Sequence, residues 1–209
     1  MTAERIRIAV FAKAPTPGRV KTRLASRLGA EGAASLHGRL ARRAVATAIE
    51  AEVGPVELWC APDPSHDFFR ACAQRSGVTL HPQPELDLGG RMNAAFAAAH
   101  ARGEALLVIG TDCPAFDAAT LREAAATLAS HDAVVIPAED GGYVLLGLAR
   151  PAPTLLEGIT WGSTHVMRET RERLRSSGLR WAELPTLWDV DRPEDYERLL
   201  REGFAEARA

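Results

Sequence analysis

The sequence predicts a three-layer αβα fold with a mostly parallel, mixed sheet, and three observations carry that expectation. Short apolar runs alternate with longer segments of helical period, the pattern of strands joined by helical crossovers. The run Ala105-Leu-Leu-Val-Ile-Gly110 is apolar throughout, as a central strand covered on both faces must be. Two short apolar runs, Ala133 to Pro137 and Tyr143 to Leu148, are joined by Ala138-Glu-Asp-Gly-Gly142, a hairpin signal that gives the sheet a mixed edge.

The elements follow in order. Ile6, Ile8, Ala9, Val10 and Phe11 read as a buried first strand, stopped by Pro15, Pro17 and Gly18. From Glu31 to Ala51, the spacing of Leu36, Leu40, Val45, Ala48 and Ile49 predicts a helix with one apolar face. Pro55 to Cys60 reads as a strand, Pro64 to Arg75 as a short helix capped by Asp63 or Ser65, and Val78 to His81 as another strand. The Pro-rich stretch from His81 to Gly90 predicts a loop, followed by an Ala-rich helix from Arg91 to Ala101. After the central strand, Asp117 to Ser130 predicts a helix. Beyond the hairpin come a loop with Trp161-Gly-Ser-Thr164, a charged helix to about Ser177 and a strand from Leu179 to Leu184. Asp191-Arg-Pro193 opens the last helix, with Pro near its start, where helices tolerate it. At 209 residues, without repeat, low-complexity tract or linker, the chain is expected to form one domain over 1–209.

Composition narrows the function. Lys+Arg 25 against Asp+Glu 27 gives a net charge of -2, so no overall field favours nucleic acid or an anionic membrane. No apolar run approaches the ~20 residues of a membrane span. Met1 to Val10 lacks the pattern of a signal peptide, and a cytoplasmic location is expected. Cys60, Cys72 and Cys113 lie far apart without a C-x-x-C pair, which argues against a disulfide framework or structural zinc. Almost all the positive charge is Arg; the two lysines, Lys13 and Lys21, both fall in the first loop region, and Asn93 is the one asparagine. A surviving Lys hints at a place where Arg will not serve, although two residues also cluster by chance.

Ligands of open α/β sheets collect at the carboxyl ends of strands, which directs attention to the loops after Phe11 and Ile109. In Lys13-Ala-Pro-Thr-Pro-Gly-Arg-Val-Lys-Thr-Arg23, backbone turns lie beside Arg19, Lys21 and Arg23 at an expected helix start, a setting suited to a pyrophosphate. A solvated basic helix start is the plain alternative, and neither Walker A nor G-x-G-x-x-G is present. Gly110-Thr-Asp-Cys-Pro114 puts Asp112 at the tip of the central strand, where it serves as a metal ligand or as a cap. A second metal acid is sought in Asp189 or Asp191, whose alternative is capping the last helix, and a third in Asp140, otherwise a turn acid. Gly90 and Asn93 could lie close to a base or ribose, and Ser163 and Thr164 could bind an acceptor or phosphate; helix caps explain Gly90, Ser163 and Thr164 equally well. Cys113 reads as a small neighbour of Asp112 rather than a nucleophile, and the six histidines read mostly as surface groups without metal-ligand spacing.

Phe11-Ala-Lys-Ala-Pro15, Pro17-Gly-Arg-Val-Lys-Thr-Arg-Leu24, Gly110-Thr-Asp-Cys-Pro114, Asp140-Gly-Gly-Tyr143 and Asp189-Val-Asp191 together resemble a bacterial family of GT-A-type transferases. It is the family described as transferase 1 associated with radical-SAM and selenodomain proteins, also named as glycosyltransferases of arsenosugar biosynthesis. The resemblance spans essentially the whole chain. The Lys-x-Arg-Leu step is more distantly similar to guanylyltransferases acting on 2-phospholactate and molybdenum cofactor.

The resemblance implies a nucleotide-diphospho-sugar transferase architecture, Rossmann-like, with Mg2+ or Mn2+ as cofactor. It places Lys21 and Arg23 on phosphate, Asp112 on the metal, and Asp189 or Asp191 as the second metal contact. The expected reaction is sugar transfer from a nucleotide-sugar to a small-molecule acceptor, with Lys21, Asp112 and Asp140 as catalytic candidates and Asp140 as acceptor base. Lys13, Pro17, Gly18, Arg19, Gly90 and Asn93 complete the expected nucleotide contacts. Nucleotidyl transfer with release of pyrophosphate is the alternative, although the first loop has less glycine than the nucleotidyltransferase pattern. A nucleotide-binding protein without turnover is a third reading.

Overall fold

The structure is a computed structural model and describes residues 5–204. The part of the leader reading that falls on 1–4 therefore lies outside the described residues. Seven strands form one sheet in the order β3-β2-β1-β4-β6-β5-β7. They are β1 (Ile6–Lys13), β2 (Val56–Ala61), β3 (Thr79–Pro82), β4 (Ala105–Ile109), β5 (Ala133–Pro137), β6 (Tyr143–Leu148) and β7 (Trp181–Glu183). All neighbouring pairs are parallel except those made by β6, which runs antiparallel to both β4 and β5. This is a three-layer α/β fold with a mostly parallel mixed sheet.

The period of two along β1 distributes its side chains between two cores. Ile8, Val10 and Ala12 face a cluster built with α1 (Ala25–Glu50), α2 (Asp67–Ser76) and α4 (Ala118–Leu128). Ala9 faces the opposite cluster, with α3 (Leu88–His100) and α5 (Val166–Ser176). A third, smaller cluster packs Trp188, Val190 and Leu199, the last on α6 (Pro193–Arg201), against Leu24, Leu36 and Leu40. It fixes the C-terminal segment beside the start of α1. Among the described residues no helix is long and apolar enough to cross a membrane.

Several local expectations need correction. The hairpin β5–β6 lies inside the sheet, not at its edge, because β6 pairs with β4 while β7 adds outside β5. The first long helix starts at Ala25, but Gly29 breaks it with φ 70, so its regular part begins close to the expected Glu31. The α2 cap is His66, whose ring accepts from Phe68 N–H, rather than Asp63 or Ser65. Leu88 to Gly90 belong to the first turn of α3, capped by Asp87 through the Gly90 amide at 2.7 Å, and not to a loop. The last strand shrinks to Trp181–Glu183.

Candidate functional site

Three strand ends meet at one side of the sheet. β1 ends at Lys13, β4 leads into Thr111 and Asp112, and β5 leads into the hairpin tip at Asp140. A fourth segment is laid across them by backbone bonds: Leu184 N–H donates to Val135, Leu187 N–H to Pro137, Glu139 N–H to Leu187, and Val190 N–H to the Asp112 carbonyl at 2.8 Å. Trp188 and Val190 are buried in the small third core. In extended chain alternate side chains point oppositely, so Asp189 and Asp191 project away from that core toward the strand ends.

The result is a group of acids. Ligand oxygens of Asp140, Asp189 and Asp191 lie within 4.8 Å of one another. Burial raises the Asp189 carboxyl, and the negative charges of Asp140, Asp191 and Asp112 raise it further, to about 7, with Lys21 offsetting part of the effect. The set consists of hard oxygen donors whose mutual repulsion a divalent cation would relieve, so it fits Mg2+ or Mn2+.

Lys21 supplies the balancing charge from within. Its backbone is left-handed at φ 47, and its side chain is only 3% exposed. The ammonium meets the Val190 carbonyl at 2.5 Å, Asp112 Oδ1 at 2.8 Å and Asp191 Oδ1 at 2.9 Å. Three acceptors match its three hydrogens. Burial favours the neutral amine, but attraction to Asp112 and Asp191 outweighs it and holds the Lys21 pKa above its ordinary value. Burial likewise works against the charged Asp112, yet Lys21 and His37 bring its carboxyl far below the usual range. Arg23 is more exposed, 3.7 Å from Asp191 Oδ2.

This geometry rearranges the expected site. Of the expected metal ligands, Asp189 and Asp191 come together with Asp140, while Asp112 lies outside that group and pairs with Lys21. Asp140, expected as acceptor base, stands among the acids. The Lys21 ammonium, expected on phosphate, meets Asp112, Asp191 and the Val190 carbonyl in this structure. Lys13, Pro17, Gly18 and Arg19 are exposed on the rim, where Gly18 takes φ 73 in a turn. The expected helix start at Lys21 is a 3-10 turn over Thr22–Leu24 that leads directly into α1 at Ala25. Gly90 lies in the first turn of α3, and the Asn93 amide donates to the Pro153 carbonyl at 2.9 Å. Ser163 Oγ donates to the Thr160 carbonyl and accepts from His165 N–H, which closes the turn before α5; the N-cap of that helix, His165, has no side-chain cap. Thr164 matters through its backbone: at Gly141, φ 92, any Cβ would collide with its carbonyl oxygen, which fixes the hairpin carrying Asp140 against α5. Burial pushes the Cys113 thiol up to about 12, which does not suit a nucleophile.

One residue of the site escapes the sequence reading. His37 is 4% exposed on α1, with Nε2 3.0 Å from the Lys13 carbonyl and Nδ1 3.7 Å from Asp112 Oδ1. Its helical register with Ala33, Leu36, Leu40 and Ala44 was the available signal, since it puts His37 on the buried face.

Comparison with known proteins agrees with the fold. The sequence profile of a family described as an uncharacterized protein conserved in bacteria, DUF2064, matches residues 44–163, more than half of the chain, and the chain belongs to that family. No curated protein matches it. A solved protein of Desulfovibrio desulfuricans G20, provisionally named a nucleotide-diphospho-sugar transferase, is 28% identical with a TM-score of 0.83, over 98% of this chain and 97% of that one. A nucleotidyl transferase from Methanothermobacter is 18% identical with a TM-score of 0.64, over 98% and 99%. A Mycobacterium tuberculosis H37Rv protein solved with manganese is 21% identical with a TM-score of 0.58, over 94% and 98%. At the last two identities the likeness is one of fold.

Proposed function

We propose that this member of the DUF2064 family is a metal-dependent, GT-A-type glycosyltransferase that uses a nucleotide-sugar as donor and a small molecule as acceptor. The observation that carries the reading is the group Asp140, Asp189 and Asp191, within 4.8 Å of one another at the strand ends. These three would hold Mg2+ or Mn2+, and a cation bound there supplies neutralisation of charge developing on the departing diphosphate. Lys21 fixes Asp112 and Asp191 in place, while Arg23, with Lys13 and Arg19 on the rim, offers positive charge to the phosphates. Asp140 serves the cation in this reading rather than taking the acceptor's proton. In the transfer the bond from the anomeric carbon to the diphosphate oxygen breaks with its electron pair leaving on that oxygen, the acceptor oxygen bonds to that carbon, and the acceptor's proton passes to solvent.

The proposal includes one transferase domain over 1–209, a cytoplasmic location, and membership in the group associated with radical-SAM and selenodomain proteins. Nucleotidyl transfer is the second reading, favoured by the shared fold of the Methanothermobacter nucleotidyl transferase. A thermal-shift panel of nucleoside di- and triphosphates and nucleotide-sugars, each with Mn2+, Mg2+ or EDTA, separates the readings. Stabilisation by a nucleotide-sugar that EDTA abolishes is expected. Selective stabilisation by a triphosphate with pyrophosphate release would move the assignment to nucleotidyl transfer. Binding without consumption of any donor would leave a nucleotide-binding protein, and a flat panel would remove the nucleotide assignment.

A further inference from the structure

The three clustered acids stand on two separate stretches of chain. Asp140 is at the tip of the β5–β6 hairpin, whereas Asp189 and Asp191 belong to the segment that runs into α6. Backbone bonds from Glu139 to Leu187 and from Leu187 to Pro137 join the two stretches along one edge. Carboxylates this close repel one another, so the chain that carries them must be held against spreading.

The last helix touches both stretches beside the acids. Arg198 Nη1 donates to Glu139 Oε2 at 2.9 Å, one residue before Asp140. The same guanidinium lies 4.3 Å over the ring of buried Trp188, one residue before Asp189. Asp195 Oδ2 accepts from the Asp191 N–H at 3.0 Å and from the Arg192 N–H at 2.7 Å. Each acid therefore has an α6 contact at its own backbone or at the residue before it. Exposed ion pairs often contribute little, but this one is set in advance: Glu202, one turn along the helix, accepts from Arg198 Nε at 2.8 Å. A planar guanidinium held at both ends and stacked on a ring bridges two segments in a way a flexible ammonium does not. The helix is seated by Leu199, which packs with Trp188 and Val190 against the start of α1.

We propose that α6 is the frame of the acid group: Arg198 and Asp195 are positioning residues that hold Asp140, Asp189 and Asp191 at the spacing a divalent cation needs. Only the clause about the cation rests on the proposed function; the hold on the backbone does not depend on what the site binds.

The test is calorimetric titration of the full chain with Mn2+ at pH 7.5, paired with amide hydrogen exchange of the metal-free protein. Arg198→Met is expected to weaken Mn2+ binding about tenfold, the lower end of what losing a partner behind a metal ligand costs. The sign is decisive, because removing a positive charge by itself makes the acidic end more attractive to a cation. Arg198→Lys keeps the charge without the fork or the stacked plane and should fall between native and Arg198→Met. Arg27→Met removes an equal charge from another α6 pair, with Glu197 at 3.1 Å, and should not weaken binding. Asp195→Ala should bind Mn2+ more weakly than Asp195→Asn, which loses the same charge but keeps an acceptor for the Asp191 amide. Without metal, Arg198→Met should speed exchange at the Glu139 and Leu187 amides and leave Leu107 in β4 unchanged. Native-like or tighter Mn2+ binding by Arg198→Met, equal binding by the two Asp195 variants, or unchanged exchange at Glu139 and Leu187 would overturn the assignment. A native chain that binds no Mn2+ would instead remove the proposed metal site, and the exchange rates would then decide the frame by themselves.

Discussion

The two ends of the sheet carry similar numbers of buried or half-buried charges and arrange them in opposite ways. At the amino ends of the strands, Arg7 and Arg102 alternate with Glu57 and Glu104 in a closed square of contacts from 2.8 to 3.3 Å. Each carboxylate there meets two guanidinium groups, and Glu57 also accepts from the Trp59 indole at 3.0 Å. At the carboxyl ends, Asp112, Asp140, Asp189 and Asp191 share Lys21 and the more exposed Arg23, and the Asp189 carboxyl rises to about 7. One end is satisfied within the chain; the other is left with an excess of negative charge. An arrangement that costs stability in the bare protein is expected where a cation is to be received.

The largest effect expected from breaking this contrast comes from Lys21→Met. It removes the one buried cation of the acidic end and leaves Asp112 and Asp191 facing each other. Removing one partner of a buried pair costs about 3–5 kcal/mol. Because the two aspartate side chains are 40% and 36% exposed, solvent screening reduces the expectation to about 2–3 kcal/mol. Urea denaturation at pH 7.5 measures it, and a loss below about 0.5 kcal/mol, the size of an ordinary surface effect, would mean that the acids do not depend on Lys21.

At the balanced end Glu57→Gln is expected to cost about 2 kcal/mol, because a 3% exposed carboxylate is lost while the two arginines stay. Asp189→Asn should act in the other direction. Without metal at pH 8 it is expected to stabilise by about 1 kcal/mol, since a repelled, partly buried charge disappears. It should also abolish the rise in Tm expected for the native chain with Mn2+. Destabilisation by Asp189→Asn would show that the acidic end is not strained, and the contrast between the two ends would fall.

How much of this was legible in the sequence follows from the range of the interactions. Ala105–Ile109, Ala133–Pro137 and Tyr143–Leu148 are readable because each is a short apolar run whose partners matter little to its recognition. The insertion of the hairpin between β4 and β7 is a matter of strand order, which no local pattern encodes. Asp189 and Asp191 stand out by their spacing around Val190, but their meeting with Asp140 depends on the backbone bonds of Leu187 and Val190. Lys21 reads as a phosphate ligand because the loop around it is basic; its turn inward requires Asp112 and the strand-end segment, 91 and 170 residues along the chain. His37 was hidden for the opposite reason, since a polar residue on an apolar helix face gives no sign of which atoms it will meet.

The smallest expected effect, and the sharpest for the comparison, is in the pH dependence of stability. Glu104 is held down to about 2 by hydrogen bonds from Arg7 and Arg102, against an ordinary value of 4.5. Its contribution is present above about 4.5 and disappears as pH falls toward 2, because the unfolded chain then binds the proton more readily. Asp189 is raised from 3.8 to about 7, so the folded chain holds the extra proton and stability falls as pH rises through that interval. The difference in Tm between the native chain and Glu104→Gln should therefore shrink on acidification from pH 5 to 2.5. The difference between Asp189→Asn and the native chain should grow from pH 4 to 8. Saturating Mn2+ should suppress the second trend and leave the first alone, since only the acidic end has ligands to offer it; a common response of both ends to Mn2+ would show that the cation acts by general screening and not at Asp140, Asp189 and Asp191.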